Sequence, residues 1–350
     1  MDSSVTEPPS SERNGDANRV WPATLVLNRR AIASLMSAAD YLAAVEAGFR
    51  AYANGNAAVP LPNHIGVPDG TFHSKSARVT LDRCYVAVKL NANFPGNPQR
   101  HGLPTIQGVA VLFDGMDGRV LAILDSIELT LRRTAAATAL AARCLARADS
   151  DTVALCGCGA QGRAQLEALT QVLPIRHALL WDINAQKARE LARDLCQELK
   201  LEVEAVSEAH EATRASHVVI TATTARTPFL TSEMVPAGAF VAAVGADNPE
   251  KSELAPELLA SATVVVDILA QASTMGDLHH AIAAGAMTAN DVHAELGDVI
   301  VGRKPGRTHR AQRIVFDSTG TAIQDVASAV VVWQRALAAN VGSSLQLGAT

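Results

Sequence analysis

Three glycines stand in the run Val153-Ala-Leu-Cys-Gly157-Cys-Gly159-Ala-Gln-Gly162. The pattern follows an apolar strand and opens a helical stretch. That is the arrangement a dinucleotide pyrophosphate needs: Gly157 for the tight turn, Gly159 for close approach of the backbone, and Gly162 for helix–strand contact. Free N–H groups and the helix dipole at that terminus attract the phosphates. Asp182 closes the following strand, where a carboxylate accepts hydrogen bonds from the adenosine ribose and repels a 2′-phosphate. The cofactor expected is therefore NAD (NADH), in preference to NADP. Thr221-Ala-Thr223-Thr ends a later strand, and its hydroxyls are candidates for the cofactor groove or simple strand terminators.

Charged residues elsewhere suggest a site for a small acid. Lys89 interrupts the apolar run Tyr85-Val-Ala-Val-Lys-Leu. A lysine pointing inward there needs an anion, such as a substrate carboxylate; one on an edge strand needs only solvent. Arg132 and Arg133 lie on an Ala-rich helix, and Arg133 is the candidate for a bidentate carboxylate contact. Asp247 follows the strand 240–245. The C-terminal edge of such strands borders the ligand crevice, so Asp247 is placed to bind an amino group or move a proton, or to cap the turn before Pro249.

The elements that would carry these residues form two groups. Strands are expected at 153–157, 177–182, 202–206, 217–222, 240–245 and 263–267, with helices at 162–172 and 185–199. This alternation implies an α/β parallel sheet of Rossmann type. Ahead of it come an amphipathic helix at 32–54, a Pro-rich turn at 59–68, and extended segments at 71–77, 85–91, 106–113 and 120–125. The last two read as a hairpin, and a helix at 128–146 leads into the nucleotide unit. A final apolar helix, 321–340, returns to the first group. The expected organisation is a disordered extension at 1–20, a discontinuous α/β substrate-binding and dimerisation domain at 21–135 and 318–350, and an NAD-binding domain at 136–317.

Composition sets bounds on this reading. The 350 residues carry a formal net charge of −5 and are 48% hydrophobic, an ordinary globular profile with no basic stripe for nucleic acid. No apolar run is long enough for a membrane span, and the polar N-terminus lacks the features of a signal peptide. Five cysteines without CxxC spacing argue against a disulfide framework or metal site and fit the cytoplasm. Cys156 and Cys158 read as small residues of a buried turn.

Several stretches together resemble the ornithine cyclodeaminase/μ-crystallin superfamily, from about position 21 to 337. They are Val88-Lys-Leu-Asn-Ala-Asn-Phe-Pro, Leu103-Pro-Thr-Ile-Gln-Gly, Leu129-Thr-Leu-Arg-Arg-Thr-Ala-Ala, the glycine loop, Val244-Gly-Ala-Asp-Asn-Pro-Glu-Lys-Ser-Glu-Leu and Phe316-Asp-Ser-Thr-Gly. The resemblance implies a homodimer acting on a small amino or imino acid. It further implies that Lys89 and Arg133 hold the substrate carboxylate, that Asp247 lies beside the reacting carbon and nitrogen, and that Gly157, Gly159, Ala160, Gln161 and Asp182 bind cofactor.

Two departures from the family pattern bear on the substrate. No arginine follows the Pro-rich turn, which reads Pro60-Leu-Pro-Asn-His64. The glutamate that meets ornithine's distal amine in a cyclodeaminase is absent from Thr71-Phe-His-Ser-Lys-Ser-Ala77, where His73 or Lys75 takes the place. Lys75 is the candidate for the missing positive charge, and it would repel a distal ammonium.

The expected activity is therefore NADH-dependent reduction of a cyclic imino acid such as Δ1-pyrroline-2-carboxylate to L-proline. Lys75, Lys89 and Arg133 would fix the carboxylate, and Asp247 or a water would handle the proton. Alternatives are a cyclodeaminase that turns L-ornithine into proline and ammonia with catalytic NAD, a 3-hydroxyproline dehydratase, an amino-acid dehydrogenase, and a non-enzymatic ligand binder.

Overall fold

The computed structural model describes residues 22–347; the extension at 1–20 lies outside them. Eight parallel strands form one sheet. Its order is Glu202–Ala205, His177–Trp181, Thr152–Cys156, Val218–Thr221, Phe240–Ala243, Ile314–Asp317, Thr263–Val266 and Ala294–Glu295. Successive strands run first to one side of Thr152–Cys156 and then, from Val218–Thr221, to the other. The crevice outside the carboxyl ends at this reversal is where open α/β sheets bind ligands.

All six strands expected for this sheet are present. Two were not foreseen. Ala294–Glu295 is too short to read, and Ile314–Asp317 inserts between Phe240–Ala243 and Thr263–Val266 rather than following in sequence order. Its four residues are buried on both faces, so no period-two alternation marks it as a strand. Helix Ala185–Leu199 shows the pattern that made the alternation legible. Ala188, Leu191, Ala192 and Leu195 form its buried stripe, and the Asn184 side chain caps its first turn.

The second sheet is mixed. Its order is Ser343–Leu345, Thr24–Leu27, Val120–Asp125, Ile106–Asp114, Cys84–Asn93, Gly70–Thr80 and Ala57–Ala58, with Asn63–Val67 also paired to Gly70–Thr80. Along Cys84–Asn93, Tyr85, Ala87 and Lys89 are buried while Val88 and Leu90 are exposed. The buried face packs under helix Ala322–Ala339.

Two expectations need correction here. The helix at 32–54 is two helices, Arg29–Leu35 and Ala38–Ala53. The Ser37 side chain accepts from the Asp40 N–H and Asp40 accepts from the Ser37 N–H, a capping box that starts a new helix despite continuous apolar spacing. The Pro-rich turn at 59–68 also contains strand Asn63–Val67, since Pro60 and Pro62 end before the hairpin begins.

Helix Ser126–Leu145 joins the two sheets. Asp125 caps it by accepting from the N–H groups of Ile127 and Glu128. It packs against helices Ala38–Ala53, Ala160–Leu169 and Ala322–Ala339, and that crowding on all sides explains its run of small alanines.

Candidate active site

Gly70–Thr80 and Cys84–Asn93 pair antiparallel with Lys75 directly opposite Lys89 and His73 opposite Asn91. All four project from one face into a cavity of about 340 Å³ between the two sheets. Like charges placed opposite each other on a sheet repel. They are held here because each ammonium has fixed partners. Lys89 is 4% exposed; its Nζ lies 2.7 Å from one Asp325 carboxylate oxygen and 3.2 Å from Thr130 Oγ1. Lys75 donates to the backbone carbonyls of Thr319 (2.9 Å) and Gly320 (2.8 Å).

Arg133 reaches the same centre from the joining helix. Its Nε donates to Asp325 at 2.8 Å and its Nη1 to Gln324 Oε1 at 2.7 Å. Gly320 makes this possible. Its φ is +73°, and a Cβ there would sit 2.9 Å from Arg133 Nη1. Lys75, Lys89 and Arg133 thus converge, with Asp325 as the carboxylate shared by the last two. Burial and the neighbouring Arg133 push the Lys89 ammonium down to about 7, although Asp325 opposes this. Burial also lowers Lys75. On Asp325, burial works upward, but Arg133 and Lys89 prevail and keep it below its ordinary value.

Asp325 was missed in the sequence. The signal was a charged residue in the first turn of an otherwise apolar helix, Ala322-Ile-Gln-Asp-Val-Ala, which demands a buried partner.

Asp247 lies at the cavity mouth with its side chain 55% exposed, and accepts from Lys251 Nζ at 2.7 Å. The surrounding protein would raise its pKa, but Lys251 and Lys75 outweigh that and hold it at about 2. It is a carboxylate throughout the neutral range, suited to holding a cationic nitrogen. His73 lines the cavity and pairs with His64 through their Nδ1 atoms; burial lowers both imidazoles.

The glycine loop meets the cavity through Gln161. Gly157 has φ +105°, and a Cβ on Gly162 would lie 2.0 Å from the Gly157 carbonyl oxygen, so both positions exclude other residues. Gly159 is the N-cap of helix Ala160–Leu169 and offers no capping side chain, which leaves the first-turn N–H groups of Ala160 and Gln161 for an anion. Gln161 borders the cavity, and its Nε2 has no partner. Asp182 accepts from the N–H groups of Cys158 and Asn184, both at 2.8 Å, which fixes its carboxylate at the end of the second strand. These residues fit the pyrophosphate and ribose of a dinucleotide.

Thr223 lines the cavity. Thr221 does not. It is fully buried, and its hydroxyl donates to Glu253 at 2.7 Å, because that residue faces into the sheet and not toward the crevice. Glu253 also accepts from the N–H groups of Thr223 (2.6 Å) and Gly245 (2.8 Å) and so ties two strand ends together beneath the groove. Sequence reasoning gave this buried glutamate no role. Cys156 and Cys158 are buried with their thiols pushed up, chiefly by burial, Cys158 to about 12, which leaves them inert. Among the described residues, no group of three His, Cys, Asp or Glu side chains is poised for a metal ion, and no helix is long and apolar enough to cross a membrane.

Comparison with known proteins bears directly on this arrangement. The model of the ornithine cyclodeaminase/mu-crystallin family matches residues 23–340. The chain belongs to this family. Among solved members, an archaeal alanine dehydrogenase dimer with bound NAD superimposes with a TM-score of 0.89 at 37% identity, covering 93% of this chain and 100% of that one. The Δ1-pyrroline-2-carboxylate reductase of Thermococcus litoralis, in complex with NADH and L-proline, gives 0.87 at 31% identity over 92% of this chain and 100% of that one. The iminosuccinate reductase of Paracoccus denitrificans, in complex with NAD+, gives 0.85 at 30% identity over 93% and 100%. Like these relatives, the chain is an α/β protein with a Rossmann-type parallel sheet.

Proposed function

We propose that the protein is an NADH-dependent oxidoreductase acting on C–N bonds, which reduces α-imino acids to α-amino acids. The carrying observation is that a three-cation clamp, Lys75, Lys89 and Arg133, shares one cavity with Gln161 of the glycine loop and Thr223 at a strand end. The bound cofactor supplies a hydride to the imine carbon, so that a protonated imine, NADH and one proton give an ammonium and NAD+.

The chain's own residues set up that reaction. Lys75, Lys89 and Arg133 each keep donor capacity beyond their internal partners, enough to grip one carboxylate from three directions. Fixing the carboxylate fixes the adjacent carbon, the proximity effect worth several kcal/mol. Asp247, anionic at neutral pH, lies where the substrate nitrogen projects and stabilises its positive charge. Proton delivery to the product nitrogen follows from the open mouth beside Asp247, where water reaches it. Gly157, Gly159, Ala160, Gln161, Asp182 and Thr223 hold the cofactor, and Thr221 acts through Glu253.

The cyclic Δ1-pyrroline-2-carboxylate and open-chain imines formed from 2-oxo acids and ammonia share this chemistry. Lys75 counts against an ornithine cyclodeaminase, because a further ammonium in the cavity would repel the distal ammonium of ornithine. The reading includes a homodimer through the outer face of the mixed sheet, where Val88 and Leu90 are 37% and 40% exposed; light scattering of the purified protein tests this. The test of activity is NADH absorbance with Δ1-pyrroline-2-carboxylate, beside L-ornithine with NAD assayed for ammonia. NADH loss matched by proline supports the reductase. Ammonia and proline from ornithine with no net change in NADH would establish the cyclodeaminase instead.

A further inference from the structure

Reducing an imine sets two demands that conflict. The product nitrogen needs a proton from the water at the mouth, but water beside the imine itself would hydrolyse it. Two imidazoles stand where a proton can pass without a water molecule following it. His64 and His73 face each other across strands Asn63–Val67 and Gly70–Thr80. Their Nδ1 atoms lie 2.5 Å apart, with the rings nearly perpendicular at 83°. His73 borders the inner cavity. Both rings border a second, outer cavity of about 810 Å³, which adjoins the first through His73, Asn93 and Thr224.

A contact through Nδ1 turns the Nε2 of each ring away from its partner. Among the described residues, neither Nε2 has a hydrogen-bond partner, so both are left for the cavities. The charges acting on the pair are Lys75 on the same strand and Asp247 and Lys251 on the loop after strand Phe240–Ala243, with Lys89 farther along the ladder. Burial lowers both imidazoles, and Lys75 outweighs Asp247 at His64. The pair is therefore neutral near pH 7 and holds one proton between its Nδ1 atoms. That proton sits on either ring, which gives two arrangements that differ by a proton shift.

Resting on the reductase reading, we propose that His64 and His73 form a proton relay from the outer cavity to the product nitrogen. Once the hydride has reached the imine carbon, the nitrogen lone pair takes the proton of His73 Nε2. His73 Nδ1 takes the proton held by His64 Nδ1, and His64 Nε2 takes one from a buffer acid in the outer cavity. Three bonds to hydrogen break and three form, one proton enters, and neither ring is left charged. The only electrons transferred are those of the hydride. After the product leaves, water admitted to the inner cavity returns a proton to His73 Nε2, and the shift runs back, releasing one from His64 Nε2.

The test measures NADH oxidation by the wild-type protein, His64→Ala and His73→Ala, with Δ1-pyrroline-2-carboxylate and with pyruvate plus ammonium. Each variant should lower kcat by about 100-fold, the scale of a positioned acid, while the KM for imino acid stays near the wild-type value. Imidazole added to His64→Ala should restore turnover in proportion to its concentration. N-methylimidazole, which cannot pass a proton through both nitrogens, should not. Nitrogen NMR of the wild-type protein needs no variant to fold, and should show one of the two rings protonated on Nδ1. Both rings protonated on Nε2 alone overturns the relay. So does a normal kcat in both variants, or a loss that N-methylimidazole repairs as well as imidazole, and these results leave the reductase standing. A wild-type protein that oxidises no NADH with either substrate overturns the reductase reading, and the relay with it.

Discussion

Lys89 and Asp325, 236 residues apart in sequence, meet at 2.7 Å in the interior, and Asp325 accepts from Arg133 on its other side. One carboxylate on the C-terminal helix thereby fixes the position of two clamp residues from different elements. Asp325→Asn is expected to leave two buried cations short of a counter-ion. Breaking a buried pair this way costs about 3–5 kcal/mol of stability. The expected result is a lower melting temperature and a KM for imino acid raised at least ten-fold, with Asp325→Glu recovering part of both. Unchanged KM in a folded Asn variant would remove Asp325 from the clamp.

The depressed Lys89 has a kinetic signature. With its pKa near 7, kcat/KM should fall as pH rises through that region and the clamp loses a charge. Asp247, at about 2, contributes no acidic limb above pH 4. Lys89→Arg keeps the charge and should carry the basic limb above pH 9; a limb that stays put would belong to another group. Stability follows the opposite sign. The unfolded lysine keeps its ordinary 10.5, so between about 7 and 10.5 the unfolded chain binds the extra proton, and this group's contribution to stability rises with pH.

Asp182 accepts from two backbone N–H groups at the end of the second strand, and the proposed function puts the ribose of NADH against it. Asp182→Ala should weaken NADH binding roughly ten- to hundred-fold, the scale of a charged hydrogen bond, and narrow the preference over NADPH. Cofactor titration by fluorescence measures both, and an unaltered NADH-to-NADPH ratio would detach Asp182 from the ribose.

Gly320→Ala should act through Arg133. A left-handed alanine costs about 1–2 kcal/mol, and its Cβ would press on Arg133 Nη1. Substrate KM should rise while NADH affinity is kept. The reverse pattern would place Gly320 in the cofactor groove.

Legibility in the sequence followed how local each feature was. The glycine turn and the six strands at 153–267 were readable because turn geometry and periodicity are set within a few residues. Lys89 and Arg133 stood out as charges in apolar surroundings. Asp325 and Glu253 did not, because their partners lie far along the chain and only the packed structure makes those contacts. Thr221 was misread because a hydroxyl at a strand end looks the same whichever way it faces, and Ile314–Asp317 because a strand buried on both faces carries no alternation. Ser37 shows the converse case: a capping box within four residues overrode a helical period that ran straight through it.

The most direct test of the central claim follows the hydride itself. NADH deuterated at C4 on the transferring face would be incubated with the protein and an imino acid, and the amino acid analysed by mass spectrometry and NMR. The expected result is one deuteron at Cα for each NADH consumed. Amino acid formed without deuterium, or no NADH oxidised while ornithine yields proline and ammonia, would contradict the reductase.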